Sequence, residues 1–326
     1  SVWGRGSLSW RVRYDFLVKF LCRQLFISLY FKRGYIWIMI LLSLSFPPPV
    51  CSKPQSHFNS SLLSPIQRAD FLLMQSLNEE ALLLYQSLIV KDEANGYHFR
   101  GLVRAYKGMG RLGDAESWLE SYLTGNPDSS PALYASGYTF YLKEDMKRAE
   151  ELLNKALGLD ANNALALNNL SAVLLSQKSY VQAVNLVHKA IRVNPKEPMF
   201  FSNLETIYKR MGDPDLIITD YNFYLKEGGD PDLIRGYGMA VARSMRQLSF
   251  RLYSEGHLEQ SILKWLEIER VYKEIDHKAG LVPVYFSLGL LHEEKDDRKN
   301  ARKYFNRVLM LNPSHIQAKK RLSNLR

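Results

Sequence analysis

From about residue 62 to residue 315 the apolar positions fall at spacings of three and four, interrupted by short polar stretches. Leu167, Leu170 and Leu174 mark one helical face, and Ala183, Val187 and Ala190 mark a second. That spacing predicts amphipathic helices rather than strands, whose apolar positions would alternate. Breaks such as Gly108 to Asp114 and Gly212-Asp213-Pro214 separate one helix from the next. Glycine and proline there supply backbone shapes that end helices.

The pattern also repeats as a unit. Block 164–197 carries Leu167, Leu170, Ser171, Leu174, Ala183, Val187, Ala190 and Pro195. Thirty-four residues upstream the same slots hold Leu133, Ser136, Gly137, Phe140, Ala149, Leu153, Ala156 and Ala161. One more step gives Phe99, Leu102, Val103, Tyr106, Ala115, Leu119, Tyr122 and Pro127. Block 282–315 gives Tyr285, Leu288, Gly289, His292, Ala301, Phe305, Val308 and Pro313. The small residue sits where two helices cross, and the proline closes the unit. Weaker copies lie at 62–95, 198–231 and 242–275. The last needs about ten extra residues before it, so its first helix is expected to start near Asp232 and run long.

This arrangement resembles the tetratricopeptide repeat. The resemblance implies an all-α, right-handed superhelical solenoid of about seven helix-turn-helix repeats. They are 62–95, 96–129, 130–163, 164–197, 198–231, 242–275 and 282–315, with residues 316–326 as a capping helix. It also implies that the second, fifth, ninth and twelfth residues of each first helix line a concave groove. By that register the wall carries Arg100, Arg104 and Lys107, then Tyr134, Tyr138 and Tyr141, then Asn168, then Lys209, Arg243 and Arg246. Arginine pairs with carboxylates and tyrosine offers a flat apolar face with a polar tip. The implied partner is a protein or extended peptide segment with acidic and aromatic residues. The family's clamp for a C-terminal carboxylate is not supported, because Tyr134 and Tyr138 stand where it needs Lys and Asn.

Composition alters this picture little. The chain has 326 residues, 46% hydrophobic and 23% charged, which excludes disordered, collagen-like and disulfide-stapled classes. The net charge of +10 is unevenly spread. Residues 1–53 carry Arg5, Arg11, Arg13, Lys19, Arg23, Lys32, Arg33 and Lys53 against Asp15 alone. Residues 298–326 carry Arg298, Lys299, Arg302, Lys303, Arg307, Lys319, Lys320, Arg321 and Arg326 and no acid. The stretch between is net acidic, so general nucleic-acid binding is disfavoured. The basic end reads as a solvated cap, with an anionic membrane or polyanion as the alternative.

Residues 35–46 form an uncharged apolar run behind Lys32 and Arg33, ended by Pro47, Pro48 and Pro49 and followed by Val50-Cys51-Ser52. That reads as a signal peptide cut after Ser52. Twelve residues span only ~18 Å of a ~30 Å bilayer core, so an uncleaved anchor is the second reading. Residues 14–46 are accordingly a candidate membrane contact. Residues 1–52 are expected to be a targeting segment and 53–61 a linker, in an exported, periplasmic or membrane-anchored protein. If the segment is an artefact, the protein is cytoplasmic.

Chemistry-bearing motifs do not follow. Both cysteines, Cys22 and Cys51, lie before the repeats, leaving no thiolate site in the array. The seven histidines have no metal-ligand spacing, and there is no Walker loop or Rossmann fingerprint. No cofactor and no metal are expected. The sequence therefore reads as a non-catalytic scaffold or adaptor, placed in a bacterial cell envelope. The alternatives are an accessory helical subunit of a secretion or enzyme complex, or a basic-ended module for membrane or polyanion.

Overall fold

The computed structural model describes residues 63–325. The targeting segment expected over 1–52, with its candidate membrane contact at 14–46, and the linker over 53–61 lie outside the described residues. Ser60–Arg326 form one compact unit.

Among the described residues there are fifteen helices and no strand. They pair in order: α1 (Pro65–Met74) with α2 (Asn78–Lys91), α3 (Gly96–Gly108) with α4 (Leu112–Gly125), and α5 (Ser130–Leu142) with α6 (Met146–Leu159). Next come α7 (Ala164–Ser176) with α8 (Tyr180–Val193), and α9 (Pro198–Met211) with α10 (Leu216–Glu227). The last two pairs are longer: α11 (Pro231–Ser254) with α12 (Leu258–Glu274), and α13 (Lys278–Glu294) with α14 (Arg298–Leu311). A final helix, α15 (Ile316–Asn324), closes the stack. The fold is thus the all-α solenoid of seven helical hairpins and a cap that the repeat pattern implies.

Local chemistry fixes the ends. Ser64 and Gln67 form a reciprocal capping box at the start of α1. Asn95, Ser129, Asn163 and Asp230 accept backbone N–H bonds at the starts of α3, α5, α7 and α11. Pro65, Pro198 and Pro231 occupy first positions, where a missing N–H costs nothing. Inside each hairpin one residue takes a left-handed backbone to reverse the chain. These are Ser76, Gly110, Glu144, Lys178 and Gly212, each 34 residues after the last. Gly256 follows after 44 and Asp296 after a further 40. The two late strides locate the extra residues: α11 starts on the usual stride but runs on to 24 residues, and α12 and α13 each run past the usual length.

The core is a continuous seam through the hairpins. Ala81, Ala115, Ala149 and Ala183 are fully buried at the helix crossings, with Ile217, Ser261 and Ala301 in the equivalent places. A Cβ on Gly137 would come within 2.8 Å of Leu153, and one on Gly289 within 2.6 Å of Phe305. Those helices approach too closely for any larger residue. In the α11–α12 crossing the small pair is Ser249 and Ser261, whose hydroxyls donate to each other's backbone carbonyls at 3.1 and 3.0 Å. Each hydroxyl is thereby satisfied in a dry place, which a buried polar group requires.

Candidate functional site

The first helices of successive hairpins pack side by side, α3 on α5, α5 on α7, α7 on α9 and α9 on α11. This brings the positions named from the register onto one wall, but their environments differ sharply along it.

At the N-terminal part the wall folds back on itself. Asn194, in the turn after α8, donates through its side-chain amide to the Tyr97 hydroxyl at 2.8 Å. The Arg100 guanidinium lies 2.9 Å from the Met199 sulfur at the start of α9. These pairs are 97 and 99 residues apart in sequence, so the fourth hairpin's end and the fifth hairpin's start meet the second hairpin directly. The space between is filled. Tyr134 is fully buried, and its ring stacks on Tyr138 with centroids 6.3 Å apart and planes within 2°. A Cβ on Gly96 would come within 3.1 Å of Leu165. Burial holds the Tyr134 and Tyr138 hydroxyls above the usual phenol range, and pushes Tyr97 up to about 12.

Asn168 is also covered. It accepts from the Asn203 side-chain amide at 3.1 Å, and the same amide reaches the Ser171 hydroxyl at 2.7 Å. Tyr134 and Asn168 were expected as groove lining. Their register is the inner wall, yet both side chains are sealed beneath it. The physical reason is the inward closure of α3, α7 and α9, which a one-repeat pattern does not encode.

Other positions keep solvent contact. Arg104 lies 3.5 Å from Asp70 of α1, which also accepts a 2.8 Å bond from the Tyr85 hydroxyl. Lys107 is exposed at the end of α3, and Tyr138 and Tyr141 are half-buried on α5. Lys209 is exposed and reaches Gln247 at 3.5 Å. Arg243 pairs with Glu205 at 3.5 Å and donates to the Ser202 hydroxyl. Arg246 is exposed, and no acid pairs with it among the described residues. The structure therefore splits the ten named residues into two groups. Arg100, Arg104, Lys107, Tyr134, Tyr138, Tyr141 and Asn168 gather at the closed part, while Lys209, Arg243 and Arg246 gather at α9 and α11.

Beside Arg243 and Arg246 lies a hollow of about 560 Å³. Its lining adds Phe201, which the register places as a stacking residue of block 198–231, and Arg235, Met239 and Tyr272, which the register does not single out. A sequence signal for Arg235 and Met239 existed: residues 235, 239, 243 and 246 keep a spacing of three and four upstream of the register, along one helix face.

Among the described residues no group of three or more His, Cys, Asp or Glu could hold a metal ion. His188, Tyr208 and Asp220 do converge. The Tyr208 hydroxyl donates to Asp220 at 2.7 Å, and His188 lies 3.2 Å from the same oxygen. The trio ties α8, α9 and α10 together. At the basic end, Arg307 pairs with Glu269 at 3.1 Å and Arg321 with Glu293 at 3.2 Å, so part of that charge is neutralised internally. Among the described residues no helix is long and apolar enough to cross a membrane.

With this geometry in view, similar proteins can be compared. The family model of the tetratricopeptide repeat matches residues 130–163 and 282–315. The human protein O-mannosyl-transferase TMTC3 is 26% identical over 267 residues, covering 73% of this chain and 28% of that protein. The type IV pilus assembly protein PilF of Pseudomonas aeruginosa is 30% identical over 126 residues, covering 38% of this chain and 50% of that one. This chain thus spans a quarter to a half of the length of these relatives. Among solved structures, the C-terminal part of a TPR repeat-containing protein from Cytophaga hutchinsonii covers 79% of this chain and 99% of its own, at 16% identity and a TM-score of 0.40.

Proposed function

The chain is built from tetratricopeptide repeats, and we propose that it is a non-catalytic scaffold which holds an extended segment of another protein on its inner wall. Repeats of this kind serve protein–protein interaction, and the stacking rule leaves the inner helices as the working surface. The observation that carries the reading is the run of cations on those helices, with Lys107, Lys209 and Arg246 exposed and Arg104 and Arg243 partly exposed. A wall built only for stacking has no use for aligned charges that must be kept hydrated. A photo-reactive residue placed at Lys107 or Arg246 is expected to cross-link a partner, whereas one at Val181, 70% exposed on α8, is not. Equal cross-linking at all three positions sinks the reading.

We infer further that the protein is exported, in a bacterial cell envelope. The support is the apolar run 35–46 behind Lys32 and Arg33 with Ser52 at its end. N-terminal sequencing of the mature protein is expected to begin at Lys53; an intact N-terminal segment points to an anchor instead.

A further inference from the structure

The hollow lies beside α11, in the first hairpin that departs from the 34-residue stride. Because α11 runs from Pro231 to Ser254, it is longer than the first helices before it, and its opening turns stand alongside the start of α9. One continuous face of α11 then presents Arg235, Met239, Arg243 and Arg246 into a single cleft. Phe201 of α9 and Tyr272 of α12 complete its apolar floor. Gly236 permits this closeness: a Cβ there would meet the Phe201 ring at 2.1 Å.

The charges are unbalanced. Arg243 is answered by Glu205 at 3.5 Å, and at the rim Lys196 is answered by Asp232 at 3.2 Å. Arg235 and Arg246 line the same cleft, and no carboxylate among the described residues pairs with either. Both are exposed, so their charge is solvated and free to engage a ligand. Their fields are felt inside. Arg235 adds to the burial that lowers His277, and Arg246 and Arg243 oppose the burial that raises Tyr272. A cavity of this size is several times larger than a single carboxylate, and its floor is aromatic and thioether. It matches an anionic side chain with an apolar neighbour on the same chain.

We propose that this cleft is the docking site for an acidic segment of a partner protein, with carboxylates on Arg235 and Arg246 and an adjoining apolar side chain against Phe201, Met239 and Tyr272. The proposal deepens the scaffold reading by naming the place and the chemistry, and it rests on that reading. Charge complementarity selects the partner: the cleft offers two unanswered guanidiniums, and guanidinium recognises carboxylate through two parallel hydrogen bonds.

The test pans a displayed library of random peptides on the full chain, in parallel with R235A/R246A, R235K/R246K and R104A variants. Both altered arginines are solvent-facing, so matching melting curves check that the variants fold. Wild type is expected to enrich sequences in which Asp or Glu neighbours Leu, Phe or Tyr. The best of these, synthesised with a fluorescent label, should bind the R235A/R246A variant at least tenfold more weakly. The lysine variant should recover part of the loss, and R104A should weaken binding far less than R235A/R246A does. An enriched set without acidic residues, or one that binds R235A/R246A undiminished, overturns the proposal. If binding is instead lost in R104A alone, the cleft assignment fails while the scaffold reading survives. If nothing is enriched on any variant, both fail.

Discussion

Two stretches of the same repeat behave oppositely at their inner wall. Between α3 and α9 the wall is shut: Tyr97 meets Asn194, Arg100 meets Met199, and Tyr134 fills the interior. Along α11 it is open and cationic, with Arg235 and Arg246 standing free of acids among the described residues. The hairpins in the shut stretch keep a constant stride with short first helices. The open stretch runs along α11, a 24-residue helix. One folding pattern can therefore make an inward core or an outward site, and helix length together with the side chains at wall positions decides which. The difference separates a stretch whose inner wall is filled from one whose inner wall stays open.

The sharpest way to break that contrast is to truncate one side chain in each stretch. Tyr134→Ala is expected to cost about 3–5 kcal/mol, because a fully enclosed aromatic ring is lost and its neighbours cannot fill the void. Arg246→Ala should change stability by no more than about 0.5 kcal/mol. Urea unfolding followed by circular dichroism measures both. Similar losses at the two positions would mean that the open wall is as much a core as the closed one.

The closure itself can be tested next. Tyr97→Phe removes the hydroxyl that Asn194 bonds, with an expected loss of about 0.5–1.5 kcal/mol at neutral pH. It should also speed hydrogen exchange in α3 and α9 and leave α13 unchanged. The same hydroxyl gives a pH signature. Its folded pKa of about 12 exceeds the unfolded value of 10, so protonated Tyr97 favours the folded state. That contribution is complete below pH 10 and is lost as pH rises toward 12. Wild type should therefore lose stability more steeply than Tyr97→Phe across that interval. Parallel slopes in alkaline melts would remove Tyr97 from the closure.

A smaller effect of opposite sign comes from the ring that fills the bore. The Tyr134 hydroxyl is buried with no hydrogen-bond partner. Tyr134→Phe deletes that unsatisfied group while keeping the ring, and should raise stability by about 1 kcal/mol. A loss on this substitution would show that the hydroxyl makes a bond the closed wall depends on.

The stacking rule was readable because it is local. Ala115, Ala149 and Ala183 must be small where two helices cross, and Pro195 must lie between units; neighbouring residues dictate both. The long α11 was also visible, since the pattern from Met245 to Ile268 left unmatched residues before it. Closure at Tyr97 and Asn194 was not readable. It depends on a small rotation per hairpin summed over three hairpins, which leaves no mark at any one position. The register consequently put Tyr134 and Asn168 on the right wall without showing that the wall is covered. In the open stretch Arg243 and Arg246 stood at register positions, whereas Arg235 was hidden because it belongs to the extension, and Tyr272 because it lies on a second helix.

Glu205 stands at the boundary between the two stretches and offers the finest discrimination. It is buried on α9 and faces Arg243 at 3.5 Å. Burial raises its pKa, and the fields of Arg243 and Lys209 only partly offset that. A carboxyl whose folded pKa exceeds its unfolded value binds its proton more tightly when folded. Its contribution is therefore full below the unfolded pKa and declines as pH rises through the folded one. At neutral pH the ionised form carries a net penalty. Glu205→Gln should raise stability there by up to about 1 kcal/mol, and the advantage over wild type should vanish as pH falls below the ordinary carboxylate range. In exchange, Arg243 loses its acid and the cleft gains a third unanswered guanidinium, so acidic peptides should bind the variant more tightly than wild type. A variant that is less stable at neutral pH, with peptide affinity unchanged, would place Arg243 and Glu205 in the closed core and move the boundary of the open wall to Arg246.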